Sequence, residues 1–432
     1  MDLTRQPARR PSNASIAGIV GLARMTDKAR AYNAELLGEF KYGEDSGLDG
    51  EVLAFINMTA AEFAQAAEEL TDAELGDRVL ERAQLSPAEI EAFNKEHLER
   101  EPQDELHRRL LRERLARFAP GRTDIKTVFA SIELDDWGSF RDLDLTRQPP
   151  RTPYLRTVGG VVAAARMADK ARATQTGTNG AYNYGDESGI DKQILEFWGI
   201  GHQEFMDAAY ANPNDAELTE WVCEHTRRTP PEIAAFNAAL ASRGLYPPVR
   251  ERFLERRAEI CHESDGVETW FDLIDIDDQQ SFGVVDLTRR PPRSPYDRSI
   301  GGIYALARLI DKGRAHNAGL LGSYWYGEDS GIDRRVLAFL ELDAAAFAAA
   351  VQEHDTDAAV VTWLGGRLDR PDADKDDFNR TMHTAGPANE QERVFLRREV
   401  AKLDPSRKEI QSWCAWMLLD DRITFARLKA GV

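Results

Sequence analysis

Apolar positions along the chain recur at helical rather than strand spacing. At 100° per residue, Ile16, Ile19, Val20 and Ala23 share one face of a helix predicted to run from about Ser15 to Asn33. Ser15 and its counterparts Thr157 and Ser299 are the N-cap candidates. Met25 lies on the opposite side, so this opening helix is apolar nearly all round and is expected at the centre of its domain. The stretch YGEDSG reads as a turn, and Ser46-x-x-Asp49 reads as a capping box for a second helix, Asp49 to Ile56. Thr59-Ala-Ala-Glu62, Ser86-Pro-Ala-Glu89 and Thr229-Pro-Pro-Glu232 open further helices, the last two with Pro in the first turn. QDELHRRLLRERLARF (103–118) combines helical periodicity with strong helix formers. β-Branched alternation is scarce and no Asn-Gly or Asp-Gly turn joins two such runs, so the predicted class is all-α.

The same pattern is written three times. DLTRQPARRP, DLTRQPPRTP and DLTRRPPRSP begin at residues 2, 144 and 286, a spacing of 142. That offset carries ARMTDKARA (23–31) onto ARMADKARA (165–173) and ARLIDKGRA (307–315), and YGEDSGLD (42–49) onto YGDESGID (184–191) and YGEDSGID (326–333). The register slips by one residue further on, at EAFN (91–94), AAFN (234–237) and DDFN (376–379). Each copy closes on an acidic-aromatic tail, DDWGSF (135–140), DDQQSF (277–282) or DDRITF (420–425). A period this long buries its own core, unlike a solenoid repeat. The prediction is three tandem homologous helical domains of about 142 residues with six or seven helices each, at 1–141, 142–283 and 284–432. Each opens on a Pro-rich extended segment.

Charge then complicates the apolar pattern. Asp27 and Arg30 fall on the apolar face of the opening helix, as do Asp169 with Arg172 and Asp311 with Arg314. Arg24 and Lys28 flank them, with counterparts Arg166, Lys170, Arg308 and Lys312. An unpaired charge in a core costs about 3–5 kcal/mol, so these groups need partners or a polar cavity. Asp27 stands three residues from both Arg24 and Arg30, the spacing at which helical side chains meet. Tyr42, Tyr184 and Tyr326 follow closely enough to bring a hydroxyl to the same place. Gly18, Gly160 and Gly302, placed inside the predicted helix, point to close approach by a neighbouring segment.

Three readings follow. In the first, Arg24, Lys28 and Arg30, oriented by Asp27 and joined by Tyr42, bind a small anionic metabolite, and the equivalent residues do so in the other copies. In the second, the charged helix is purely structural and the protein is a non-catalytic scaffold or interaction module. That reading expects Asp27 and Arg30 to be fully paired with no cavity beside them. In the third, an enzyme uses Asp27 as base and Tyr42 as acid. No residue receives a catalytic assignment from sequence, and whether the chain is an enzyme stays open.

Composition narrows the partners. Hydrophobic residues are 42% and charged residues 30%, as in a folded globular protein. The formal charge of −19 disfavours nucleic-acid and anionic-membrane partners. The N-terminus MDLTRQPARRP has no apolar stretch behind its charges, and the longest apolar runs, such as 16–23, are far too short for a membrane span. Three cysteines, Cys223, Cys261 and Cys414, make a disulfide framework improbable and fit a cytoplasmic protein. Cys223 with His225 and Cys261 with His262 lack a zinc spacing, and the cluster Glu44, Asp45, Asp49 lacks a calcium-loop spacing, so no metal is expected. No Walker loop, dinucleotide fingerprint, nucleophile elbow or HExxH is present, and no cofactor is expected. Gly-Thr-Asn-Gly (177–180) reads as a helix stop.

Taken together, DLTR-x-PPRSP, the Gly-Gly segment running into ARM-x-DKARA, GTNG-x-Y-x-Y of repeat 2, and the RTDI (122–125) to DLIDIDD (272–278) tail resemble the bacterial domain-of-unknown-function family numbered 5069. The resemblance covers nearly the whole chain three times and implies a bacterial cytoplasmic protein, with no catalytic residue to carry across. Many members carry Asn-Cys-Pro after the second tyrosine. This chain has Gly-Glu-Asp-Ser-Gly or Gly-Asp-Glu-Ser-Gly there, so no role of that cysteine transfers.

Overall fold

Seven α-helices per repeat, and no strand, make up the described residues of the computed structural model, which are 1–245, 247, 249–260, 267–283 and 285–430. The chain divides into two compact units, Met1–Leu240 and Ala241–Val432. The first contains repeat 1 and the leading helices of repeat 2. The second contains the last two helices of repeat 2, Arg250–Ile260 and Trp270–Phe282, together with repeat 3. Those two helices pack on each other around Phe253, Val267 and Leu273. Repeat 3 ends on a similar pair with its own cluster of Leu396, Val400, Ile410 and Leu419. No helix among the described residues is long and apolar enough to cross a membrane.

The opening helices are central, as the pattern predicts, but shorter. They span Leu22–Asn33, Ala164–Thr176 and Leu306–Asn317. Every residue from Leu22 to Ala29 is buried, charged ones included. Phe63, Phe205 and Phe347, each 0% exposed, join the cores around these helices. Ser15, Thr157 and Ser299 are not N-caps. The capping position belongs to Gly21, Ala163 or Ala305, each left-handed and without a side-chain cap.

The residues before each helix wind as turns whose bonds, such as Ile19 N–H to Ile16 C=O, imitate helical spacing without continuing it. Gly18, Gly160 and Gly302 have φ of +70°, +68° and +74°, so they serve a backbone that L side chains rarely adopt. Close approach is not their reason, because a Cβ at Gly18 would meet nothing within 4 Å. The turn is held instead by the asparagine of the recurring Phe-Asn motif. Asn94 accepts from Val20 N–H at 3.0 Å and donates to Gly18 C=O at 2.7 Å. Asn237 does the same for Val162 and Gly160, and Asn379 for Tyr304 and Gly302.

The second helices, Gly47–Phe55, Gly189–Trp198 and Gly331–Leu340, are N-capped by Ser46, Ser188 and Ser330 after one 3-10 turn. Full capping boxes form at Thr59/Glu62 and Ser86/Glu89, and another at Thr71/Glu74. Ser46 caps, but its expected partner Asp49 turns its carboxylate inward instead of closing a box. Gly177 ends the opening helix of repeat 2 in a left-handed conformation, the helix stop expected there.

Asn94→Ala would leave the Val20 N–H and Gly18 C=O without their partner, at a cost of about 1–3 kcal/mol. The expected outcome is a lower urea midpoint at unchanged slope, measured by circular dichroism.

Candidate functional site

Asp27 sits midway along the first opening helix with none of its surface exposed. Its partner comes from the DLTRxPxR segment, a turn at 3–5 followed by an extended stretch at 7–10, where Pro7 and Pro11 lack N–H groups and hold the backbone out of the helical region. The Arg9 backbone N–H donates to one Asp27 oxygen at 2.8 Å, and its Nη2 donates to the other at 2.8 Å. Arg151 grips Asp169 at 2.8 and 2.9 Å, and Arg293 grips Asp311 at 2.8 and 2.7 Å. The remaining edge of each guanidinium reaches the first residue of the fourth helix, Asp72, Asp215 or Asp357. Arg30 and Arg314 close on Asp72 and Asp357 at 2.6 and 2.7 Å. Charge thus alternates along Asp27, Arg9, Asp72 and Arg30.

Repeat 2 departs at the end of this row. Arg172 donates to the carbonyls of Ala209 and Asn212 and lies 3.5 Å from Asp169, while the Thr157 hydroxyl donates to Asp215. Among the described residues, the expected pairing three residues apart along an opening helix forms here and not in the other two repeats. In repeat 1, Asp27 meets Arg9 rather than Arg24 or Arg30, because the extended segment lies against the helix and offers a planar fork with ideal carboxylate geometry.

Arg24 turns toward the last helix of its repeat and pairs with Asp136 while lying over the Phe40 ring at 5.4 Å. Arg308 pairs with Asp421 at 2.8 Å and lies over Tyr324, whose hydroxyl donates to the same carboxylate at 2.6 Å. Arg166 lies over Tyr182 and donates to the carbonyls of Pro150 and Arg151. Lys28 pairs with Asp49 and donates to the Ser46 hydroxyl at 3.1 Å. Lys170 with Asp191 and Ser188, and Lys312 with Asp333 and Ser330, repeat the arrangement. The second oxygen of Asp49, Asp191 and Asp333 accepts the N–H of Gly43, Gly185 and Gly327.

Burial sets the electrostatics. It pushes the Lys28 ammonium down to about 8 against the pull of Asp49, and lowers Lys312 in the same way. Burial also raises Asp169 and Asp311, but Arg151 and Arg293 outweigh it and hold both carboxylates below their usual range. Burial opposes charge on Arg9, yet Asp27 and Asp72 leave its guanidinium more firmly protonated than usual.

The tyrosines are engaged elsewhere. Tyr42, Tyr184 and Tyr326 donate to the first carbonyl of the third helix, at Ala60, His202 and Ala344, over 2.7, 2.6 and 3.0 Å. Burial raises the pKa of each hydroxyl. Two cavities lie in repeat 1. One of about 670 Å³ is lined by Leu80, Leu85, Ile90 and Leu98, and one of about 530 Å³ by Met1, Arg30, Glu68, Glu69 and Thr71. Arg24, Asp27, Lys28 and Tyr42 line neither, but Arg30 lines the second, so the absence of a cavity that the scaffold reading expects holds beside Asp27 and fails beside Arg30, whose outer edge reaches the surface.

Glu44 and Asp45 are exposed while Asp49 points to Lys28, so the acidic turn does not converge on a point. Among the described residues, no three His, Cys, Asp or Glu side chains are grouped to hold a metal ion. Cys223 is exposed and the His225 ring contacts the Trp221 carbonyl; Cys261 and His262 lie outside the described residues.

Sequence reasoning missed the partners: Arg9, Arg151 and Arg293, then Asp72, Asp215 and Asp357, then Asp136 and Asp421. The arginines were visible as a fixed position of the thrice-written Pro-rich motif. The fourth-helix aspartates recur too, beyond the slip in register.

A family model described as Domain of unknown function (DUF5069) matches residues 6–137, 147–280 and 289–423. No curated protein matches the chain.

Asp27→Asn would strand a buried guanidinium and is expected to cost about 3–5 kcal/mol, read as a fall in the urea midpoint. Asp311 gives the pH dependence. Its folded pKa lies below the unfolded one, so its stabilisation is complete above about pH 4 and is lost as pH falls through the folded value. Unfolding free energies between pH 6 and 2.5 should drop on the acid side, and Asp311→Asn should flatten that drop.

Proposed function

We propose that this chain, which belongs to the DUF5069 family in each of its three repeats, is a non-catalytic scaffold whose charged helix is structural and whose outer surfaces meet its partners. One observation carries the reading. The carboxylates, guanidinium groups and ammonium groups picked out on the opening helices have protein partners in all three repeats. Arg9 already directs Nε, Nη1 and Nη2 at carboxylates, so an anion would have to displace a buried carboxylate to bind there. The acid–base reading meets the same obstacle, since the Asp27 oxygens are taken by Arg9 and the Tyr42 proton by Ala60.

A scaffold also makes use of triplication. Three similar platforms on one chain raise the effective concentration of each for a partner already held by another. The charge of −19 steers cationic surfaces toward the chain rather than phosphates.

Titration with phosphate, sulfate, citrate and small carboxylates, read by melting temperature, tests the reading. Expected are shifts no larger than those of an Arg30→Gln variant, since sulfate and phosphate raise melting temperatures without a site. A saturable rise in the native chain that Arg30→Gln abolishes would overturn the reading in favour of an anion site.

A further inference from the structure

Within Met1–Leu240, repeat 1 lends an extended peptide to repeat 2. Gln6 accepts the Asp215 N–H at 2.8 Å, and the Pro7 carbonyl accepts from the Asn214 amide at 2.8 Å. The Arg10 backbone N–H donates to Glu217 at 2.7 Å, and its guanidinium donates to Asn212 at 3.1 Å and to the Ala211 carbonyl at 2.7 Å. The occupied face is the junction of the third and fourth helices of repeat 2, where Arg172 and Asp215 lie. It is covered: the side chains of Asp215 and Arg172 are 3% and 2% exposed.

The equivalent face of repeat 1 stands open. The Asp72 and Arg30 side chains are 40% and 26% exposed there, beside the cavity of about 530 Å³. Glu68 and Glu69 line that cavity and Glu74 stands in the first turn of the fourth helix, all three exposed and acidic. Thr71 stands where repeat 2 has Asn214, and Glu74 where it has Glu217.

From this we infer that the Arg30–Asp72 face of repeat 1 is a docking site for an extended, proline-bearing basic segment of a partner protein, of the Gln-Pro-x-Arg-Arg kind that residues 6–10 present to repeat 2. The occupant is fixed by the pseudo-equivalent interface already filled in the same molecule, and by an acidic rim suited to the arginine that stands where Arg10 does in that interface. Repeat 3 offers a poorer copy, because Ala359 occupies the place of Glu217 and Glu74.

The cap explains how the two faces differ. In repeat 2, Asn214 caps the fourth helix by itself, leaving Glu217 free to accept Arg10. In repeat 1, Thr71 and Glu74 form a closed box that occupies one Glu74 oxygen. Thr71→Asn therefore converts the cap of repeat 1 to that of repeat 2 and releases Glu74, and asparagine is at least as good an N-cap as threonine.

The inference rests on the scaffold reading. The probe is a fluorescein-labelled synthetic peptide of residues 4–13, TRQPARRPSN, titrated into the full chain by anisotropy. The tethered segment on repeat 2 is not displaced, because its effective concentration exceeds that of the probe. Expected are saturable binding, a loss of about tenfold or more in Glu69→Lys and in Glu74→Lys, and a gain of about tenfold in Thr71→Asn, the change that one hydrogen bond to a charged group brings.

Three results would overturn it: no saturation up to millimolar peptide, equal binding of a scrambled peptide of the same composition, or indifference to all three substitutions. Dimerisation that Glu69→Lys abolishes, without peptide binding, would overturn it in favour of a second copy of the chain. If peptide binding fails while the anion titration stays flat, this inference alone falls. A specific anion response removes the scaffold reading itself.

Discussion

Each repeat is organised by a carboxylate almost wholly withdrawn from water. Asp27 occupies the middle of a helix whose neighbours are all buried, and ionised there it is tolerable only because Arg9 meets it with a backbone N–H and a guanidinium together. That requirement dictates the course of the chain before the helix. The stretch from Pro7 to Arg10 has to run extended along the helix, which is what the flanking prolines enforce, and a left-handed turn has to return it to the helix start. The Asn94 clamp and the glycine at 18 supply that turn. Lys28 with Asp49, Arg24 with Asp136 and Arg30 with Asp72 then tie the same helix to the second, the last and the fourth, so with the Arg9 segment one element is fixed by ions to four others.

Much of this was readable from the sequence, for identifiable reasons. The helical class, the three copies and the burial of the opening helix follow from apolar spacing and period, which tertiary structure did not override. The start of that helix did not follow. Turns closed by bonds three residues apart place side chains almost as a helix does, so the apolar spacing of Ile16, Ile19 and Val20 misplaced the boundary. The importance of Asp27 and Arg30 was legible because charge on an apolar face violates a simple pattern. Their partners were not, since a helical wheel sees only its own helix, and Arg9 and Asp72 arrive from segments it does not contain.

Comparison of the repeats separates what the fold needs from what it permits. The grip of an arginine on the helix carboxylate, the lysine–aspartate–serine group and the asparagine clamp are the same in all three. The N-cap of the fourth helix varies as Thr71, Asn214 and Thr356, the ring beneath Arg24 and its counterparts varies as Phe40, Tyr182 and Tyr324, and the glutamate at Glu74 and Glu217 becomes Ala359. Variation thus gathers at helix ends, outer faces and the far end of the ionic row, where Arg172 departs from Arg30 and Arg314, around a constant inner set of ion pairs.

The division of the chain after Leu240 has a further meaning. Duplication proceeded in steps of 142 residues, but compaction does not respect those steps, because the final helical pair of repeat 2 clusters with the third copy rather than with its own leading helices. Heredity and cooperativity therefore have different borders in this molecule. A fragment cut to the repeat, 142–283, would part both folding units, one at each end, whereas one cut near residue 240 would keep each unit whole.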